Sequence, residues 1–213
     1  MKISVDDLLR GCHAFAEHES RDAMYKIARE LVDERWGDTA ATADALGVLL
    51  LTWNQAAYRY GRFDFARLQA FLEKNASDLA EFRTMRLEDV QMHDASRVRR
   101  LFDALLDSLA TATGARSPVG AGKALHLLAP RMFPLWDNKI ARVYGCRLYG
   151  APGSAQKYVR FTQKIKEILE SLAEQRSLNE LVEELNAQAR FQKPILKYVD
   201  EYNYARYTYG WIS

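Results

Sequence analysis

The chain has 213 residues, of which 48% are hydrophobic and 27% charged, and its formal net charge is +2. This length predicts one domain spanning 1–213, or two tightly packed lobes, and no apolar run approaches the ~18 residues that cross a bilayer. Only two cysteines, Cys12 and Cys146, are present, and no Cys/His cluster indicates zinc or an iron–sulfur cluster. We expect a reduced, cytoplasmic monomer without metal or other cofactor, nucleoid-associated if bacterial, and MKISVDDLLR argues against a signal peptide.

Hydrophobic residues recur at helical spacing along the chain, and no segment alternates with a period of two. Ser4, Asp64 and Asp94 are the expected N-caps of three of the helices. A central helix, apolar all round from Leu46 to Leu51, is expected to be buried. The pattern predicts an all-α fold with helices at about 5–15, 23–32, 42–60, 65–72, 95–109, 122–129, 137–144, 154–174, 177–188 and 193–201.

Positive charge is concentrated between residues 115 and 166. This segment contains ten basic residues and one acid, Asp137, whereas the rest of the chain has 20 basic and 27 acidic residues. A basic surface of this kind favours a polyanion, because each neutralised phosphate releases counterions. A single carboxylate there would repel the same ligand, so we expect Asp137 to have a function of its own.

Two motifs lie in the basic segment. Gly120 and Gly122 form a Gly-x-Gly before a helix, where backbone N–H groups can approach a phosphate, although a tight turn without a ligand has the same pattern. A Walker-type loop is not matched. Asp137 follows a Pro-containing stretch at a helix start, and it is either an N-cap or a functional carboxylate.

A Gly-x-Gly hairpin followed by Asp at a helix start resembles the helix-hairpin-helix DNA glycosylases over about 115–145. The segment LLLTWNQA at 49–56 resembles the helix of that superfamily whose end carries a Gln near the DNA. The resemblance implies a helix-hairpin-helix motif near 115–130. It also implies two lobes, one formed by about 42–113 and the other by the N- and C-terminal helices. Iron–sulfur members are excluded by the cysteine count.

The resemblance implies a DNA glycosylase that removes a flipped damaged or modified base from double-stranded DNA, possible AP-lyase activity and a role in DNA repair. Asp137 would drive base removal, and Lys123 would be the nucleophile of a lyase step. Bifunctional members place that lysine two residues after the second glycine, whereas Lys123 follows Gly122 directly, and one residue turns a helix by about 100°. Lys139 is the substitute nucleophile.

The remaining site residues follow from what base flipping requires, namely a phosphate grip, a wedge and an aromatic pocket. For the grip and wedge the predicted residues are Gly120, Gly122, Lys139, Arg142, Asn54 and Gln55. For the base pocket they are Trp53, Trp136, His126 and Tyr204. His126 is more typical of a helix-face residue than of a general base. The aromatic residues near the C-terminus are more typical of a packed terminus than of a stacking surface.

Two alternatives to the glycosylase stay open. One is a non-catalytic all-α DNA-binding protein that keeps the hairpin for phosphate contact. The other is a helical enzyme acting on small phosphorylated molecules, which would have a closed pocket too narrow for a duplex. The position of the Asp137 carboxylate separates the first alternative from the enzyme: a cleft favours catalysis, and a solvent-facing cap favours binding.

Overall fold

A computed structural model describes residues 2–19, 22–58, 61–90, 94–147 and 152–213. Within these residues the one β-type pairing is an isolated bridge between Phe63 and Thr111, so the all-α prediction is confirmed. The helices are α1 Val5–His18, α2 Ala23–Glu34, α3 Thr39–Trp53, α4 Gln55–Tyr58, α5 Phe65–Lys74, α6 Ala76–Thr84, α7 Ala95–Ser108, α8 Pro118–Leu128, α9 Asn138–Val143, α10 Ser154–Ala173, α11 Leu178–Gln188 and α12 Ile195–Asn203. A π-helical turn, Tyr204–Thr208, follows α12.

Side-chain caps start several helices where the sequence predicts them. The hydroxyl of Ser4 accepts a hydrogen bond from the backbone of Asp7 at 3.1 Å, and Asp64 accepts one from Ala66 at 2.8 Å. Asp94 occupies the N-cap position of α7 without a side-chain cap, so that prediction is wrong in its chemistry. Its backbone is already in the right-handed helical region, and its carboxylate instead pairs with Arg97 at 3.6 Å.

The predicted helix over 42–60 is divided in two. It ends at Trp53, where Asn54 leaves the helical conformation and donates from its side-chain amide to the Ser117 hydroxyl at 2.7 Å. The short α4 follows, and the predicted end at Tyr60 lies outside the described residues. This helix is also less buried than predicted, because Val48 is 54% exposed.

Helix α8 begins four residues earlier than the sequence predicts. Ser117 caps it by accepting from the Gly120 N–H at 3.0 Å, and Pro118 fits the first turn because its φ is fixed and its missing N–H has no helical partner there. The Gly-x-Gly therefore lies inside a helix and not in the turn before it. Helix α6 was not predicted at all, since its hydrophobic periodicity is weak.

The buried hydrophobic residues of these helices form one cluster. The first and last helices, α1 and α12, pack against each other, α2 and α5 pack on α3, and α8 and α10 pack on α7. This arrangement brings α8, α12 and the chain around residues 15–24 to the same side of the molecule, where the candidate site lies. No helix in the described ranges is long and apolar enough to cross a membrane.

Candidate functional site

A cleft of about 410 Å³ lies between segments from the two ends of the chain, residues 15–24 and 197–209, and segments from its middle, around Trp53 and Lys123. This volume is within the usual range of small-molecule sites, roughly 300–1,000 Å³. Several of its lining residues are aromatic, and five carry an ionisable carboxyl or amino group. The lining residues are Phe15, Glu19, Asp22, Ala23, Met24, Trp53, Lys123, Leu135, Trp136, Lys197, Asp200, Tyr204 and Tyr209.

Lys123 extends from α8 into this cleft. Its residue is 8% exposed, its Nζ donates to the backbone oxygen of Trp53 at 2.8 Å, and the same nitrogen lies 4.4 Å from the centre of the Trp53 ring. Burial lowers the pKa of Lys123 to about 8, although the carboxylates of Asp200 and Asp137 act to raise it. The position after Gly122 thus does not turn this lysine away from the cleft, and the amine is partly neutral near physiological pH.

Asp137 is half-buried beside the cleft but does not line it. One carboxylate oxygen caps α9 by accepting from the Ile140 N–H at 2.8 Å. Its charge nevertheless acts on cleft groups: burial raises the pKa of Tyr204, and the carboxylates of Asp200 and Asp137 raise it further. Asp137 therefore combines the two predicted alternatives, a helix cap and a carboxylate close to the site.

Helix α12 contributes a second carboxylate, Asp200, which the sequence analysis did not single out. Asp200 is 5% exposed and lines the cleft, with the Nζ of Lys197 3.5 Å away. Burial raises the pKa of Asp200 to about 7, against the opposing effect of Lys197. Lys197 also pairs with Asp22 at 3.4 Å and with Glu201 at 3.4 Å, so a buried ionic network forms one side of the cleft.

Three of the four residues predicted for a base pocket line the cleft: Trp53, Trp136 and Tyr204. Trp136 is 1% exposed and donates from its indole nitrogen to the Pro118 oxygen at 3.1 Å, so it offers little open surface for stacking. Tyr209, one of the C-terminal aromatic residues for which packing of the terminus was the favoured prediction, also lines the cleft and is 55% exposed. Its ring stacks on Trp211 with centroids 4.4 Å apart.

His126, the fourth, lies behind the cleft wall and has no exposed surface. Its Nδ1 donates to the Phe133 oxygen at 2.7 Å, and its Nε2 therefore accepts from the Tyr25 hydroxyl at 2.9 Å. Burial lowers the pKa of His126 to about 3. Both ring nitrogens are occupied within the protein, which corrects its assignment to the base pocket.

Gly120 and Gly122 are buried in α8. A Cβ on Gly122 would lie 2.7 Å from Trp136 Cδ1, and one on Gly120 would lie 2.9 Å from the Asn54 amide nitrogen. Both glycines therefore serve close packing. The backbone of these two glycines is covered by side chains and is not accessible for the predicted phosphate contact.

The other predicted DNA-binding residues are distributed around the same region. Asn54 is held by Ser117, whereas Gln55 is exposed at the start of α4, two residues after Trp53. Lys139 and Arg142 are exposed on α9, and Lys139 donates to the backbone oxygen of Thr208 at 3.2 Å. Their DNA contacts stay predictions.

Some of the positive charge between 115 and 166 is compensated by acids from outside the segment. Arg116 pairs with Asp107 at 2.9 Å, Lys164 with Glu167 at 2.9 Å, and Lys166 with Glu170 at 3.1 Å. Lys123 is buried. The positive face is consequently smaller than the sequence count indicates.

The charged residues that α12 places at the cleft have a recognisable spacing in the sequence. Lys197, Asp200 and Glu201 stand at i, i+3 and i+4 in a helix whose nine residues are all buried. Charges at that spacing inside a buried helix can pair with each other and with a neighbouring element. Which of them faces a cavity depends on tertiary packing.

Chemically, the cleft combines a partly neutral amine, a carboxylate with a pKa near 7 and aromatic walls. These groups suit nucleophilic attack by an amine or proton transfer near neutral pH. No group of three or more His, Cys, Asp or Glu residues in the described part of the chain could hold a metal ion.

Comparisons with known proteins give one family. No curated protein and no solved structure matches the chain. The model of a family of unknown function, DUF6308, matches residues 37–200, a region that includes Lys123, Asp137 and Asp200. The chain belongs to the DUF6308 family.

Proposed function

We propose that this protein is a helix-hairpin-helix-like DNA glycosylase that cleaves the N-glycosidic bond of a flipped damaged or modified base, with an accompanying AP-lyase step. The observation that carries the proposal is Lys123, a buried lysine with a pKa of about 8 in an aromatic cleft. A desolvated lysine is a nucleophile, because its amine is neutral at a useful fraction at working pH. The helix-hairpin-helix motif near 115–130 and the arrangement in two lobes are part of what we propose.

The cleft meets the requirements of a flipped base in size and in lining. Its volume of about 410 Å³ accommodates a nucleobase, and the Trp53 and Tyr204 rings provide aromatic contact. Gln55 at the start of α4 supplies a polar side chain near the Trp53 wall to fill the place of the extruded base. Lys139 and Arg142 on α9 supply phosphate contacts.

The decisive experiment is a panel of duplexes, each with one damaged or modified base, scored for abasic sites and strand nicks. Borohydride reduction would trap the imine between enzyme and sugar and identify the attacking lysine by mass spectrometry. We expect trapping at Lys123 and its loss in Lys123→Gln. Lys74→Gln, at an exposed lysine of α5 outside the cleft lining, is the matched control and should trap normally.

The rate of the lyase step should rise with pH. Since the pKa of Lys123 is about 8, roughly one tenth of the amine is neutral at pH 7 and half at pH 8. The rate should therefore increase about fivefold between these values. A rate that stays level over this range would contradict amine catalysis by Lys123.

Asp137→Asn tests the role that the resemblance assigns to Asp137. A carboxylate stabilises the positive charge that develops on the sugar, so the amide should lower base excision and leave duplex affinity equal or higher. The cap on α9 has an amide oxygen available in Asn, which limits the loss of stability.

The second candidate, a DNA-binding protein without catalysis, is favoured by one observation, the use of an Asp137 oxygen as a helix cap. Duplex binding without excision of any base in the panel, and without trapping, would select it. If the protein neither binds duplex DNA nor excises a base, the remaining alternative is an enzyme that acts on small phosphorylated molecules.

A further inference from the structure

Two carboxylates act on Lys123, and they differ in where they lie. Asp200 lines the same cleft as Lys123 and is buried in its wall. Asp137 is outside the lining, and one of its oxygens is already committed to the Ile140 N–H at 2.8 Å. A group that takes a proton in the cleft has to face the cleft, and Asp200 does so.

We propose that Asp200, and not Asp137, is the carboxylate that exchanges a proton with Lys123 during catalysis. The proposal rests on the glycosylase function proposed above and adds a catalytic residue to it. Asp137 then caps α9 and acts on the site through its charge and its side-chain hydrogen bond with Tyr204.

The proposed step is a displacement at the sugar. A bond forms between Lys123 Nζ and C1′, the C1′–N bond to the base breaks, and its electron pair leaves with the base. The proton lost from Nζ passes to the Asp200 carboxylate and from there to the departing base. No further reactant is needed to balance this step.

The environment of Asp200 suits a proton carrier. Burial raises the pKa of Asp200 to about 7 and lowers that of Lys123 to about 8, and such similar values favour proton transfer between the two groups. The effect of Asp200 on the pKa of Lys123 is also larger than that of Asp137. The charged and titratable groups around the pair are Lys197, Glu201, Asp22, Lys193, Asp137, Tyr204, Tyr25 and Arg29.

The first test needs no DNA. Competitive labelling of lysines with trinitrobenzenesulfonate over a pH series, read by mass spectrometry, gives the pKa of Lys123. Because a carboxylate raises the pKa of an amine, Asp200→Asn should lower that pKa below about 8 and should do so by more than Asp137→Asn. At pH 7, labelling of Lys123 in Asp200→Asn should increase.

The second test measures base excision in the same variants. Loss of the proton carrier should reduce excision by Asp200→Asn about 10²-fold at pH 7, even though its Lys123 is more reactive toward the label. A merely disrupted cleft would solvate Lys123 and raise its pKa, because burial is what lowers it. A lowered pKa of Lys123 together with slower excision is therefore specific to the proposed role.

Three results would overturn the proposal: an unchanged pKa of Lys123 in Asp200→Asn, a larger shift in Asp137→Asn, or normal excision by Asp200→Asn. If Asp200→Asn fails to fold, the unmutated protein decides. The Lys123 ¹³Cε resonance should then show a second inflection near pH 7 from Asp200, and its absence overturns the pairing. The expected labelling result with no excision of any base would instead refute the glycosylase function.

Discussion

The buried His126 predicts a specific loss of stability in acid. Its pKa is about 3 in the folded protein, because burial disfavours the charged ring, whereas an unfolded histidine titrates near 6.5. The folded pKa is thus depressed, and the stability that the neutral ring contributes is complete above pH 6.5. It is lost as the pH falls from 6.5 toward 3, since the unfolded chain binds a proton that the folded protein does not.

The magnitude follows from the difference between the two pKa values. Each pH unit below 6.5 costs about 1.4 kcal/mol, so at pH 4.5 the folded state has lost about 2.7 kcal/mol through His126. His126→Gln removes this loss but disturbs the hydrogen bonds to Tyr25 and Phe133, which costs about 3 kcal/mol at pH 7. The two proteins should therefore differ by about 3 kcal/mol at pH 7 and become nearly equal at pH 4.5.

Urea unfolding of both proteins between pH 7.5 and about 4 measures this difference directly. The difference is more informative than the profile of the wild type, because Asp200 acts in the opposite direction. Its pKa is raised to about 7, so the folded state retains a proton that the unfolded carboxyl loses, and stability rises as the pH falls from 7 to about 4. The two effects largely cancel in the wild type.

His13→Gln is the matched control, since His13 is on the surface of α1 with its side chain 76% exposed. It should follow the wild-type profile across the whole pH range. A constant difference between wild type and His126→Gln from pH 7 to 4.5 would refute the reasoning, because it would mean that His126 takes up its proton equally in both states.

Two further predictions concern packing and DNA contact. Gly122→Ala should lower the free energy of unfolding by about 1–2 kcal/mol, since its Cβ would lie 2.7 Å from Trp136 Cδ1, and Gly120→Ala should cost less because side-chain ends face it. Urea unfolding measures both, and a stabilising Gly122→Ala would contradict the close contact. Exchanging Lys139 and Arg142 together for Gln should reduce the slope of log K against log salt for duplex binding by about 2. Fluorescence anisotropy measures the slope, and an unchanged one removes α9 from the DNA-binding face.

Most of the helices could be predicted from the sequence because the signals that define a helix lie close together along the chain. A 3.6-residue hydrophobic period and caps such as Ser4 and Asp64 depend on residues within a few positions of each other. The errors arose where distant contacts decide. Asn54 ends α3 and bonds to Ser117, and two positions inside α8 are glycines because Trp136 and Asn54 occupy the space that a Cβ would need.

The site was partly accessible for the same reason. Lys123 and Trp53 were named from their place in the sequence, and the structure brings them into contact. Asp200 was missed because the charged face of α12, which contains Lys197, Asp200 and Glu201, is buried and does not face solvent as a charged face usually does. In such a helix the hydrophobic period does not indicate which charged side chain faces a cavity.

The cleft is built from both ends of the chain, with Phe15 and Asp22 on one side and Lys197, Asp200 and Tyr204 on the other. During synthesis, at roughly 5–20 residues per second, the N-terminal walls leave the ribosome many seconds before α12 does. A nascent or prematurely terminated chain that lacks α12 therefore has Lys123 and Trp53 but neither Asp200 nor the cleft wall to which it belongs, and the cleft is complete only when the last helix docks.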